Sequence, residues 1–410
     1  MTTRLPAAGR PWNAIATEMQ AMRGHDLDWR NGRHGAYVWY AGDELESVLA
    51  SAYTMFMVEN GLGIRVFPSI ERMEREVLES VQGLLHAPEG AGGIFTSGGT
   101  ESIFLAVHAA REWARATKPQ VTRPEIVAPY SAHPAVSKAA HYLGMTVRRI
   151  PVGPDFRADP AAMEAAIGPE TVMLYASAPS YSLGLVDPVA SLGAVALRHD
   201  LWLHVDACVG GILIPAVRQL GYEVPPFDFA VDGVSSISAD LHKSGYAAKP
   251  ASTLTFRGEE LREFAHYAMS DWPSGTYSSH TFTGTRPGGA IAAAWAAFQY
   301  LGEDGYREIA AASMRAKETI AKGVESMGGT VHGSPELWAF AYGFEGRSMG
   351  RVAGAMWKRG WLCARTTQPD GIHVMCTPVH EPAATAYLDA LAQSLDEARA
   401  GEPAKPAAYN

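Results

Sequence analysis

The stretch "TSGGTESIFLAVHAAREWA", Thr96–Ala114, changes the rhythm of the chain. A glycine-rich turn, "TSGGTES", joins an apolar segment to an apolar helix. Glycines at such a junction let the backbone approach another group closely, and the helix start offers free N–H groups with a positive dipole end. That is an anion site in principle. Taken alone it is a weak signal, since ordinary tight turns use the same residues.

Downstream of this turn, short β-type segments alternate with helical ones. The former are "EIVAP" (125–129), "TVRRIPV" (146–152), "TVMLYASAP" (171–179), "WLHVDAC" (202–208) and "GVSSISA" (233–239). Between them lie "PAVSKAAHYLG", "DPAAMEAAIG" and "PVASLGAVALRHD". This alternation predicts an α/β fold with a mostly parallel sheet covered by helices on both faces. Ligands of such sheets sit beyond the carboxyl ends of the strands. Upstream, helices are expected from Asp43 to about Met57 and over Ser69–Leu85, with Ser69 as N-cap. Beyond Thr285 come the long helices "GAIAAAWAAFQYL" and "YREIAAASMRAKETIAKGVESM", then a smaller α+β segment with "ELWAFAYGF", "MGRVAGAMWKRG", "IHVMCT" and a final helix near 381–399. The expected division is an N-terminal arm over 1–55, a large domain over 56–300, a small C-terminal domain over 301–400 and a loose tail over 401–410.

Bulk properties bound the function. The 410 residues are 47% hydrophobic and 19% charged, enough for a large core. A net charge of −9, with no basic run, argues against nucleic-acid binding. Cys208, Cys363 and Cys376 lack disulfide or C-x-x-C spacing, which suits a reducing compartment. The start "MTTRLPAAGRPWNAIA" has no apolar signal core, and no apolar run is long enough to span a bilayer, so a cytoplasmic protein without a membrane anchor is expected. H-E-x-x-H and G-x-S-x-G are absent, and no metal-ligand spacing stands out.

Three further features carry chemistry. "HVDAC" places Asp206 at the end of an apolar strand, where a carboxylate is costly unless paired; for a lone aspartate, a helix cap or an ion pair is the plainer reading. "YSAHPAVSKAA" places His133 after a strand and before Pro134, expected at the first helical position; its ring either stacks on a flat ligand or simply caps and packs. "SADLHKSGYAAKP" (Ser238–Pro250) holds Lys243 beside His242, with Lys249 six residues on. Burial at a sheet edge is expected to lower the pKa of Lys243, and a neutral amine can form a Schiff base with a carbonyl. Each feature has a bland alternative. Together they match the needs of pyridoxal 5'-phosphate: an amine for its aldehyde, an acid for its ring nitrogen, a stacking ring and a phosphate cradle.

The chain resembles the fold-type I pyridoxal-phosphate enzymes, and within them the sphingosine-1-phosphate lyases, relatives of the group II amino-acid decarboxylases. The resemblance rests on "FTSGGTESIFLA", "RPEIVAPYSAHPAVSKAAHYLGM", "LHVDACVGGILIP", "PFDFAVDGVSSISADLHKSGYAAKP", "DWPSGTYSS" and "GTRPGGAIAAAWAA". It implies a sheet of the seven-stranded type and a homodimer with its active site at the subunit interface. It also implies that Lys243 carries the cofactor as an aldimine, that His242, Gly99 and Thr100 surround the phosphate, that Asp206 faces the ring nitrogen and that His133 stacks on the ring. Tyr277 matches a tyrosine beside the scissile bond, and Lys249 a second lysine near the substrate's polar head. Tyr40 matches a substrate-side tyrosine, in an alignment ambiguous with Trp39. Gly284, Thr285 and Arg286 match a loop presented to the neighbour's cofactor.

The implied reaction is carbon–carbon cleavage of a β-hydroxy amine or amino acid, phosphorylated or not, through a quinonoid. The alternatives are α-decarboxylation of an amino acid and a biosynthetic reaction that uses the same carbanion for bond formation or elimination. The substrate side departs from the family. In "ENGLGIRVFP" (Glu59–Pro68), Gly63 replaces a histidine that helps hold substrate phosphate, and Arg65 replaces an acid. In "APSYSLGLVDP", Ser180 and Leu183 stand where Gln and His are usual. Arg65 is either a substitute anion contact or a solvated arginine.

Overall fold

The computed structural model describes residues 5–398 except Ile64, so the tail expected over 401–410 lies outside the described residues. The main sheet has seven strands: β1 (Gly92–Thr96), β2 (Glu125–Pro129), β3 (Thr146–Ile150), β4 (Thr171–Ser177), β5 (Trp202–Asp206), β6 (Val234–Ala239) and β7 (Ser252–Phe256). Their order is β1-β7-β6-β5-β4-β2-β3. The pairs from β6 through β5, β4 and β2 to β3 are parallel, and β7 runs antiparallel to both its neighbours. All residues of β4 and β5 are buried, as expected of strands covered on both faces. A short hairpin, β8 (Tyr267–Met269) with β9 (Tyr277–Ser279), follows, and then a second, antiparallel sheet of β10 (Thr330–Val331), β11 (Ala339–Gly343), β12 (Ala364–Thr367) and β13 (Asp370–Met375).

The helices are α1 (Trp12–Arg23), α2 (Asp43–Met55), α3 (Pro68–Leu84), α4 (Gly99–Thr117), α5 (Ala135–Leu143), α6 (Pro160–Ala165), α7 (Val189–His199), α8 (Ile214–Gln219), α9 (Glu259–Arg262), α10 (Gly288–Ser326), α11 (Met349–Lys358) and α12 (His380–Glu397). The period-two alternation of the strands sorts them into layers. Leu174, Ala176, Leu203 and Val205 share a core with Val77 and Val81 of α3, Leu192 of α7 and Ile291 of α10. Tyr175 and Trp202, on the other face, share a core with Ile103 and Ala106 of α4 and Val136 of α5.

Several boundaries differ from expectation for local reasons. Ser69 does not cap α3. Phe67 occupies that position without a side-chain cap, and Pro68 takes the first turn, where its missing N–H costs nothing. Pro134 precedes α5 by one residue. The two long helices expected beyond Thr285 are present as the two halves of α10, which meet at the non-helical Gly302 (φ 55°, ψ −170°). Part of the N-terminal segment is tied to its own chain: Gly35 N–H donates to Leu362 O and Gly35 O accepts from Met375 N, both at 2.8 Å. By contrast, α1 buries none of its residues.

Gly184 joins the main sheet to the second one. Its φ is 73°, and a Cβ there would lie 1.9 Å from Ala339 O, a strand backbone atom that cannot yield. Gly184→Ala is therefore expected to cost roughly 3 kcal/mol or more in denaturant unfolding, combining a left-handed backbone with a backbone clash. An unchanged midpoint and slope would contradict this packing.

Candidate active site

A cavity of about 360 Å³ opens at the carboxyl ends of β1, β4, β5 and β6. Its lining includes Gly99, Thr100, His133, Asp206, His242 and Lys243. These are the six residues to which the family resemblance assigns cofactor roles within one chain.

The turn between β1 and α4 is held by hydroxyls. Thr96 Oγ1 and Ser102 Oγ lie 2.6 Å apart, Ser102 Oγ is 2.9 Å from Ser252 Oγ, and Ser252 Oγ donates to Ala239 O. This chain links β1, α4, β7 and β6. Glu101 accepts from Ser97 N at 2.7 Å and from Phe282 N at 3.0 Å, connecting the turn to the 282 loop. A Cβ on Gly99 would sit 2.6 Å from Cys208 Sγ and 2.9 Å from each Asp240 carboxylate oxygen. Only glycine lets the start of α4 press against the ends of β5 and β6. The helix N-terminus, Thr100 and His242 thus converge on one corner of the cavity.

Asp206 is 7% exposed. Burial penalises its charge, but His133, the Tyr175 hydroxyl, Lys243 and the Cys208 thiol together outweigh that, and its pKa lies below the ordinary value. Tyr175 OH donates to Oδ2 at 2.6 Å and Cys208 N–H to Oδ1 at 3.1 Å. The carboxylate is therefore ionised and fixed in direction.

Lys243 reverses its expected shift. Burial does disfavour the ammonium, but Asp240, Cys208 and Asp206 more than offset it, and the pKa is raised. The dominant partner is Asp240, 1% exposed, with Oδ2 2.9 Å from Lys243 Nζ. The resting side chain is an ammonium held in place by a buried carboxylate.

His133 and His242 both have lowered pKa values, mainly through burial. Each accepts a backbone N–H at Nδ1, from Ala135 (3.2 Å) and Ala251 (3.1 Å) respectively, which fixes the neutral tautomer and the ring plane. The edge of Tyr181 meets the His133 ring, with centroids 6.0 Å apart.

The remaining expected residues lie outside this cavity. Lys249 and Tyr40 line a separate cavity of about 510 Å³ with Trp39, Tyr53 and Tyr246. There burial lowers the Lys249 pKa, while Tyr40 OH donates to Asp43 and accepts from Arg30. Tyr277 is exposed on β9, Gly284 lines a third cavity, and Thr285 and Arg65 are exposed. Arg286 pairs with Glu74 of its own chain. Tyr175, Cys208, Tyr181 and Glu101 were given no role from the sequence. Tyr175 alone left a signal, a phenol in an otherwise buried apolar strand, whose hydroxyl needs a buried acceptor.

These residues fit pyridoxal 5'-phosphate. They offer a buried ionised carboxylate for a ring nitrogen, a lysine amine, a fixed flat imidazole and a cradle at a helix start that any Cβ on Gly99 would fill. The pyridoxal-dependent decarboxylase conserved domain matches residues 5–330, and the chain belongs to that family. It is a pyridoxal-phosphate-dependent lyase of fold-type I.

Within the family, the chain is 38% identical to the sphingosine-1-phosphate lyase of Oryza sativa subsp. japonica, over 98% of this chain and 75% of that protein. A solved sphingosine-1-phosphate lyase from Burkholderia pseudomallei K96243 is 36% identical, covers 97% of this chain and 94% of its own, and superposes with a TM-score of 0.93. A glutamate decarboxylase from Lactobacillus brevis shares the fold (TM-score 0.84, 18% identity, 98% of this chain and 96% of that one).

Because Asp240 holds Lys243 charged, the neutral amine is scarce at pH 7 and grows about tenfold per pH unit while pH stays below its pKa. Capture of added cofactor by the apo-enzyme, followed by absorbance, is therefore expected to accelerate steadily from pH 7 to pH 9. A rate flat across that range would mean that the amine is already neutral.

Proposed function

We propose that the enzyme cleaves the Cα–Cβ bond of a β-hydroxy amine, phosphorylated like the substrate named in its lyase relatives, and releases an aldehyde. The observation that carries this reading is the intact Lys243–Asp206–His133 constellation in a chain alike over nearly its full length to those lyases. When bound, pyridoxal phosphate supplies an electron-poor ring that takes up the electron pair left at Cα.

The protein's own groups do the rest. Lys243 Nζ would hold the cofactor's aldehyde carbon. Ionised Asp206, fixed by the hydrogen bonds from Tyr175 and Cys208, would hold a proton on the ring nitrogen. His133, neutral and locked by the Ala135 N–H, presents a flat face to the ring. The N-terminal turn of α4, with Thr100 and His242, holds the phosphate. A base takes the β-hydroxyl proton as the carbonyl forms and Cα–Cβ breaks, and an acid then returns a proton to Cα. We assign Tyr277 to this proton transfer.

Tyr277, Gly284 and Thr285 stand away from their own chain's Lys243, which supports a homodimer in which the neighbour completes the site. The exposed apolar side chains of Trp12, Met19 and Met22 on α1 and of Met57 and Val58 support the same reading. The expected division at about residues 55, 300 and 400 stands as a proposal, as does a cytoplasmic location, which three unpaired cysteines suit. Among the described residues, no helix is long and apolar enough to cross a membrane.

The substrate end differs from that of the lyases. Gly63 N–H caps onto Asn60 Oδ1 at 3.0 Å, and Leu183 is buried in a small apolar cluster with Leu185 and Ala341. Lys249 is then the cation placed for the substrate's anionic head. A second reading, α-decarboxylation, is favoured by the description of the matched domain and by 32% identity to a probable L-aspartate decarboxylase of Pyrococcus furiosus, over 87% of this chain and 94% of that one.

The two readings separate by product. Holoenzyme incubated with a panel of phosphorylated β-hydroxy amines and of amino acids is expected to release aldehyde and no carbon dioxide. Carbon dioxide without aldehyde would establish the decarboxylase instead. Sedimentation should give twice the chain mass.

A further inference from the structure

The sequence shows no metal-ligand spacing, yet the fold assembles one outside the cavity that holds Lys243. In the β8–β9 hairpin, Tyr267 faces Ser279, Ala268 faces Ser278 and Met269 faces Tyr277. One more rung of that register places His266 opposite His280, where cross-strand side chains meet. Their rings stack with centroids 4.6 Å apart and planes 24° from parallel.

Glu263, in the 3-10 turn just before β8, points its carboxylate at both. Oε1 lies 3.1 Å from His280 Nε2, and Oε2 lies 3.7 Å from His266 Nδ1. One ligand atom from each of the three residues lies within 4.8 Å of the others. A tetrahedral ion with bonds near 2.0 Å places its ligand atoms about 3.3 Å apart, so small side-chain rotations suffice.

His266 Nε2 is 2.6 Å from Ser278 Oγ, on the facing strand. With Nε2–H donated to that hydroxyl, Nδ1 turns a lone pair toward the Glu263 carboxylate, the arrangement a metal-binding histidine uses. Two acceptors facing each other call for a cation between them. Arg262 pairs closely with Glu259, Nε lying 2.8 Å from Oε2, and forms a longer ion pair with Glu263 Oε1 at 3.7 Å.

We propose that Glu263, His266 and His280 bind a divalent transition-metal ion, with zinc the best match to two imidazole nitrogens and one carboxylate oxygen. The ion closes the base of the hairpin that carries Tyr277. Each strand has only three residues, and an exposed hairpin of that size is marginal without a staple. The inference does not depend on the substrate or on which bond the enzyme breaks.

The test uses EDTA-treated holoenzyme. Calorimetric titration with zinc chloride is expected to give one equivalent per chain, and cobalt chloride to give visible d–d bands. His266→Ala, His280→Ala and Glu263→Gln are each expected to weaken binding roughly tenfold or more. In the unmutated enzyme, zinc should slow amide exchange across residues 267–279, a readout that needs no variant to fold. Unchanged stoichiometry and affinity in the His266→Ala/His280→Ala double variant would overturn the site. So would the absence of zinc-dependent protection across 267–279.

Discussion

A single close approach governs the site. The start of α4 lies so near the ends of β5 and β6 that Gly99 has room for a hydrogen and nothing larger before Cys208 Sγ and the Asp240 carboxylate. This contact brings an electropositive helix end to the sheet's carboxyl edge. It also seals Asp240 from water, and a sealed carboxylate needs a cation. Lys243 is that cation, three residues on and 2.9 Å away. The Gly-rich turn, the buried acid and the lysine are thus parts of one packing solution, tied across four elements by the Thr96–Ser102–Ser252 hydroxyl chain.

The same cavity shifts three ionisable groups, and the shifts at Asp206 and His133 run in the directions a pyridine cofactor needs. Asp206 is held ionised by donors and nearby positive charge, Lys243 is held charged by Asp240, and His133 is kept neutral by burial. Groups so near one another, with values driven apart by their surroundings, mark a functional site more firmly than any one residue does. The shift at Lys243 ran opposite to the sequence-based expectation because burial was weighed without its partner. Asp240 was visible in the motif, but only folding brings its oxygens to the amine.

Much of the main sheet was legible in the sequence, since β2 to β6 are short apolar runs bounded by turns and alternating with helical periods. The antiparallel β7 was not. It reads "STLTF", follows the lysine loop directly and has no helix before it to signal a strand. The β8–β9 hairpin escaped for a related reason, as three-residue strands carry no period. The cofactor half of the site was legible because its residues lie at strand ends within one chain. Tyr277, Lys249 and Tyr40 were not legible in the same sense. Sequence order names them, but within the chain they occupy the β9 hairpin and a second cavity.

Under the proposed function, the two lysines of "SADLHKSGYAAKP" divide the labour between cofactor and substrate. Their surroundings differ: Lys243 pairs with a buried acid, and Lys249 lines a cavity shared with aromatic side chains, where desolvation lowers its pKa. Reduction of the purified enzyme with borohydride, followed by peptide mapping, tests this assignment most directly. The account predicts that the reduced pyridoxyl group is found on Lys243, and that Lys243→Ala protein carries none. A pyridoxyl group on Lys249, or on no lysine at all, would contradict it.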